Sequence, residues 1–202
     1  MALLFAFWGY LSGSVLYARV FMRLFGREAE LSQSKDGNPG TANAFQYGGF
    51  WCGLLTLIGD LMKGAVPVHF FMRWLAETAL PWIWAAVILA APVIGHAFPV
   101  FYQFKGGKAI AVTFGCLLGL LPLWQPFMIL AVFFIVFSVA VRVTPHFYRT
   151  IAAYLCACIY LLFYCPQPAV VMGFLIMACV VCLRLYMSQE EKERMRIQLW
   201  MH

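Results

Sequence analysis

The sequence predicts an all-α polytopic membrane protein of about seven transmembrane helices, with its N-terminus outside and its C-terminus in the cytoplasm. Composition is the first ground. Of 202 residues, 64% are hydrophobic and 11% charged, whereas soluble domains are about 45–50% apolar and about 25% charged. Charge-poor stretches long enough to cross a tilted bilayer then recur along the whole chain and leave no separate soluble domain. Third, the lysines and arginines fall almost entirely on one face once those stretches are counted as spans.

The spans lie near residues 2–22, 46–70, 79–98, 109–124, 125–142, 150–165 and 167–187. The first lacks the basic n-region and clean cleavage site of a secretory signal, so it is read as a span. Breaks between spans carry Pro or Gly with charge. The tightest, Leu123 to Pro126, leaves six or eight spans open as alternatives. Residues 1–187 form one transmembrane domain with motif loops at 35–46 and 95–108. The tail at 188–202, with its run SQEEKERMRIQLW, reads as a short amphipathic helix on the membrane surface. Seven cysteines all sit in hydrophobic stretches without CxxC spacing, as reduced space-filling side chains.

With seven spans, the first face collects Arg19, Arg23, Arg27, Lys35, Lys105, Lys108, Arg142, Arg149, Arg184, Lys192, Arg194 and Arg196, and the other face only Arg73. Cytoplasmic loops show this bias. Asp60 and Lys63 break the pattern inside the second span, three residues apart and so on one helical face. Intramembrane charges mark functional sites by default, yet a mutually neutralising pair is equally a structural solution.

Two loops on the cytoplasmic face carry chemistry-bearing residues. Asp36-Gly37-Asn38-Pro39-Gly40-Thr41-Ala42-Asn43 is dense in small residues and amides, which suits a phosphate cradle as well as a turn capped by Asn or Thr. In Gly95-His96-Ala97-Phe98-Pro99-Val100-Phe101-Tyr102-Gln103-Phe104-Lys105-Gly106-Gly107-Lys108, two lysines flank a Gly-Gly pair, and four aromatic residues offer an interfacial anchor. The lysines fit a bound anion, or lipid phosphates alone. His96 suits a general base or an orienting group. Walker spacing, an HxxxxD pair, a Ser-His-Asp set and a metal-ligand cluster are all absent from the sequence, so no metal and no cofactor are expected.

These motifs resemble those of the bacterial acyl-phosphate-dependent glycerol-3-phosphate acyltransferases. The resemblance runs most clearly over residues 4–115 and rests on four blocks in order. They are Gly9-Tyr10-Leu11-Ser12-Gly13-Ser14, Gly37-Asn38-Pro39-Gly40 with Asn43, Asp60-Leu61-Met62-Lys63-Gly64, and Gly95 to Phe101 running into Phe104 to Lys108. It implies transfer of a fatty acyl group from acyl phosphate to the 1-hydroxyl of glycerol 3-phosphate, giving lysophosphatidate without an acyl-enzyme. The implied setting is the bacterial inner membrane, with the site facing the cytoplasm and membrane lipids around it; no nucleic acid is expected, and a monomer is the default.

The resemblance assigns His96, Lys105 and Asn38 to catalysis. It gives phosphate and substrate binding to Gly37, Gly40, Thr41, Asn43, Gly106, Gly107, Lys108 and Arg142, with backbone amides of the four glycines stabilising an oxyanion or the leaving phosphate. Asp60 and Lys63 support the site. Two departures stand out, because the family usually has Ser before the Gly-Asn and Arg three residues beyond the following Asn, where this chain has Asp36 and Gln46. A dianionic acceptor is then expected to bind less well. A related enzyme with another acceptor or donor, and a non-catalytic lipid-binding protein, stay open as alternatives.

Overall fold

An apolar rod opens the chain, but not as one helix. The computed structural model describes residues 1–32, 34, 36–75, 80–188 and 195–199. Helices α1 (Ala2–Ser14) and α2 (Tyr17–Leu24) are separated by extended backbone at Val15 and Leu16. Short helices α3 (Glu28–Ser32) and α4 (Thr41–Gly48) follow, and α4 stops at Gly49, whose φ of +86° favours glycine. That stop divides the expected second span, so α5 runs from Phe50 to Leu75. Next come α6 (Trp82–Ala97), a 3₁₀ turn at Val100–Tyr102 and α7 (Ile110–Leu118). The chain closes with α8 (Gln125–Ile135), a π turn at Val136–Ala140, α9 (His146–Tyr164) and α10 (Pro168–Met187).

Among the described residues, five helical stretches are long and apolar enough to cross a membrane: Ala2–Leu24, Phe50–Leu75, Trp82–Tyr102, His146–Tyr164 and Pro168–Met187. The other two expected spans are shorter. Nine-residue α7 rises about 14 Å, roughly half the hydrocarbon thickness, and α8 with its π turn covers Gln125–Ala140. Helix α5 shows the lipid-facing pattern plainly: Trp51, Leu55, Ile58 and Met62 are exposed at helical spacing. The opposite face buries Cys52, Thr56, Asp60, Lys63 and Pro67.

Helices α1 and α6 cross at backbone contact. A Cβ on Gly13 would overlap the Pro92 carbonyl oxygen, and one on Gly95 the Tyr10 carbonyl oxygen. With Gly9 against Ala91, this is the small-xxx-small packing that lets membrane helices approach closely. The main apolar core lies among α6 to α10, where Leu117, Leu130, Tyr154, Phe174 and Met177 are buried.

The all-α expectation needs one amendment. Strands β1 (Val141–Thr144) and β2 (Arg196–Leu199) pair antiparallel, Arg142 opposite Gln198 and Val143 opposite Ile197. Polar and apolar residues alternate in both segments, the strand period, and Val and Thr favour extended backbone. The tail read as an amphipathic helix is therefore a strand at 196–199. Its residues 189–194 and 200–202, like Lys35, lie outside the described residues.

Candidate active site

A buried charge cluster sits beneath the site. Lys63 is ion-paired with Asp60 at 2.8 Å, both side chains almost wholly buried. Its ammonium also donates to the Val15 carbonyl at 2.6 Å and meets His96 Nδ1 at 2.7 Å. The break between α1 and α2 explains the first of these contacts, since it leaves Val15 outside both helices. An ammonium only donates, so Nδ1 accepts and the ring proton resides on Nε2. In that tautomer His96 presents a hydrogen-bond donor at Nε2. Thr41 at the start of α4 donates to Asp60 Oδ2 at 3.3 Å, so it anchors the cluster and does not cap its helix.

Above it, the loop before α4 is tied to the Gly-Gly loop. Asp36 is ion-paired with Lys108 at 2.9 Å, and Asn38 Oδ1 accepts from the Lys108 backbone N–H at 3.2 Å. Asn43 donates to Asp36 Oδ1 at 2.7 Å and to the Asn38 carbonyl at 2.8 Å. Burial pushes the Asp36 carboxyl up. The hydrogen bonds from Lys108 and Asn43, the Lys108 charge and the Asn38 N–H outweigh burial and hold it below the ordinary carboxylate value. Across the loop, Arg184 near the end of α10 donates to the Gly106 carbonyl. Arg19 lies 5.2 Å from the centre of the Tyr102 ring.

Two cavities meet at this layer. The larger, about 530 Å³, has Asn43, Thr41, Asp60 and His96 at its polar side and Phe45, Leu57, Val112 and Phe114 at its apolar side. The smaller, about 260 Å³, is lined by Arg19, Lys105, Lys108 and Arg184 around Asp36. Asp36, Asn38 and Lys108 line both, so they form the shared wall.

The structure gathers most of the residues singled out from sequence. His96, Asn38, Gly40, Thr41, Asn43, Asp60 and Lys108 line the larger cavity, and Gly37, Lys105 and Gly106 the smaller. Gly107 packs so closely on the His96 ring that a Cβ there would meet Nε2. Arg142 is exposed on β1 and lines neither cavity. The proposed amide cradle is also revised. The N–H groups of Gly37, Gly40 and Gly107 donate to the carbonyls of Ser34, Asn38 and His96, so three of the four expected amides are engaged within the loops themselves.

Arg19, Arg184 and His146 line the cavities without having been singled out as site residues. Each looked like an ordinary interfacial charge or helix end, and only the fold brings them to the motif loops. Gly9 and Gly13, four apart, are a helix-packing signal that the sequence does display.

Fold and site together define an integral membrane protein in which a small cation-lined cavity adjoins a larger one with an apolar side. The chain belongs to the glycerol-3-phosphate acyltransferase family, whose sequence profile matches residues 3–196. A glycerol-3-phosphate acyltransferase of Pseudomonas aeruginosa is 39% identical over 122 residues, 60% of this chain and 62% of its own length. The matched region thus spans about three fifths of that relative. One from Ralstonia pickettii is 37% identical over 160 residues, covering 72% of this chain and 74% of the relative. Among solved structures, PlsY, an integral membrane glycerol 3-phosphate acyltransferase in its glycerol 3-phosphate form, has the same fold, with a TM-score of 0.77. It is 24% identical, over 92% of this chain and 88% of that one. Its lysophosphatidic acid form superposes with a TM-score of 0.74.

Proposed function

We propose that this protein transfers a fatty acyl group from acyl phosphate to the 1-hydroxyl of glycerol 3-phosphate, releasing lysophosphatidate and phosphate. One observation carries the reading: an apolar-walled cavity shares the Asp36–Asn38–Lys108 wall with a cation-lined one. The donor's chain needs the apolar walls, the acceptor's phosphate needs the cations beyond the shared wall, and the reacting ends of both meet at that wall. The acceptor hydroxyl oxygen attacks the acyl carbon, the bond from that carbon to the phosphate oxygen breaks, and the leaving phosphate takes the hydroxyl proton. Lys105 and Lys108 offset the phosphate charge, and His96 Nε2–H donates to the oxygen that gains charge. Asn38 and Asn43 hold the loop that carries them. No metal, cofactor or acyl-enzyme enters this scheme.

The setting proposed is a monomer in the bacterial inner membrane, with seven crossings, the N-terminus outside and the site facing the cytoplasm. Lysine and arginine bias supports the orientation. The loops at 36–43 and 99–108, the segment 141–146 and the strand at 196–199 lie at one end of the bundle, linked by Asp36–Lys108, Arg184–Gly106 and β1–β2. If α7 and α8 instead enter and leave by the same face, the crossing number stays odd and the orientation is unchanged.

The test is an assay of purified protein with palmitoyl phosphate and labelled glycerol 3-phosphate, with Lys105→Ala as control. Lysophosphatidate from wild type and none from the control is the expected result. No product from folded wild type refutes the reading and shifts weight to another acceptor, for which Asp36 in the polar cavity is the structural reason.

A further inference from the structure

The smaller cavity holds more positive charge than the motif loops supply. Lys108 reaches it already paired with Asp36 at 2.9 Å. Among the described residues, no carboxylate lies within ion-pair distance of Arg19, Lys105 or Arg184, and all three line the cavity. Arg184 is the most constrained of them. It donates to the Gly106 carbonyl, its guanidinium lies 5.6 Å from the centre of the Phe98 ring, and its buried Nε has no hydrogen-bond partner among the described residues. A guanidinium held between a carbonyl and an aromatic ring in this way is preorganised to fork onto an oxyanion.

Size and lining decide which phosphate it serves. At about 260 Å³ with mostly charged and polar walls, the cavity suits a small hydrophilic phosphate ester and offers little to an acyl chain. The donor's chain requires the Phe45, Leu57 and Phe114 side of the larger cavity. Gln46, where the family resemblance expects an arginine, is exposed on α4 and lines neither cavity. We propose that Arg184, assisted by Arg19, is the phosphate clamp for the acceptor and supplies the cation that Gln46 does not. The inference rests on the acyltransferase reading for the acceptor's identity, but the anion site itself does not.

Two measurements separate these layers. In steady-state assays, Arg184→Gln raises KM for glycerol 3-phosphate about tenfold or more, the loss expected for one charge-assisted hydrogen bond. KM for palmitoyl phosphate stays within about twofold. Arg184→Lys, which keeps the charge but not the fork, falls between wild type and Arg184→Gln. Arg19→Gln, which leaves the Gly106 contact alone, shifts the same KM in the same direction and covers the case in which Arg184→Gln does not fold.

The second measurement is thermal stabilisation by inorganic phosphate, which needs no turnover. Wild type is stabilised, and Arg184→Gln, or Arg19→Gln where Arg184→Gln does not fold, is stabilised markedly less. If wild type yields no product but this difference appears, the acceptor assignment fails and the anion clamp stands. An unchanged acceptor KM, a raised donor KM, or equal stabilisation of wild type and variants overturns the clamp.

Discussion

Replacing Lys63 by Met tests the buried cluster directly. The ammonium serves Asp60 at 2.8 Å, His96 Nδ1 at 2.7 Å and the Val15 carbonyl at 2.6 Å. Methionine matches much of the volume, so the loss is electrostatic and not a cavity. It strands a carboxylate whose remaining hydrogen bond is from Thr41 at 3.3 Å, and it orphans the Val15 carbonyl and the Nδ1 lone pair. Breaking a buried ion pair from one side costs about 3–5 kcal/mol. For a chain of this size each kcal/mol moves Tm by about 2–4 °C, which gives a fall of about 6–20 °C. Tryptophan fluorescence during heating in detergent reads it. Removing both charges, Asp60→Asn with Lys63→Met, leaves no stranded ion and recovers at least about half of the loss. A Lys63→Met protein within about 2 °C of wild type, or a double variant as unstable as the two single losses added together, would refute the argument.

Two further outcomes follow from the same geometry. Because Nε2 carries the proton, Gln at position 96, whose amide N–H reaches that place, retains about tenfold or more activity over Ala; equal loss in both variants would favour a base. Asp36, with its carboxyl held below the ordinary value, adds stability that is fully present above about pH 3.9 and is lost as pH falls through its lowered value. The Tm gap between wild type and Asp36→Asn is therefore flat from pH 7 to about 5 and closes on further acidification. A gap that widens with acid would reverse the sign.

Much of the bundle was legible in the sequence because spanning a bilayer demands long apolar runs, and five of the expected spans are long apolar helices. Where demands are weaker the reading slipped. Glycine at 49 ends α4, which apolarity alone does not reveal, and the strand at 196–199 is held by a partner more than fifty residues away. The site divides in the same way. Asp60, Lys63, His96 and the Gly-Gly lysines stand out because charge among apolar residues is conspicuous. Arg184 and His146 do not, since one arginine or histidine at a helix end looks like any other until the chain closes. For three of the four glycine amides the reason is different: a sequence shows which N–H groups exist, not which already bond within the chain.

The crossing of α1 and α6 has a mechanical consequence. With carbonyl oxygens where side chains would normally cushion the contact, neither helix can slide or roll without collision. Tyr10 OH, donating to the Phe98 carbonyl at 2.8 Å, and Ser14, whose hydroxyl reaches the Gly95 carbonyl at 3.4 Å, pin the same seam. The wall that carries His96 is thus a fixed jaw. Across the larger cavity Phe114 of α7 and His146 of α9 form the facing border, and α7 is itself held to α5 by the same kind of contact, Gly115 against the Leu61 carbonyl and Gly64 against the Val112 carbonyl.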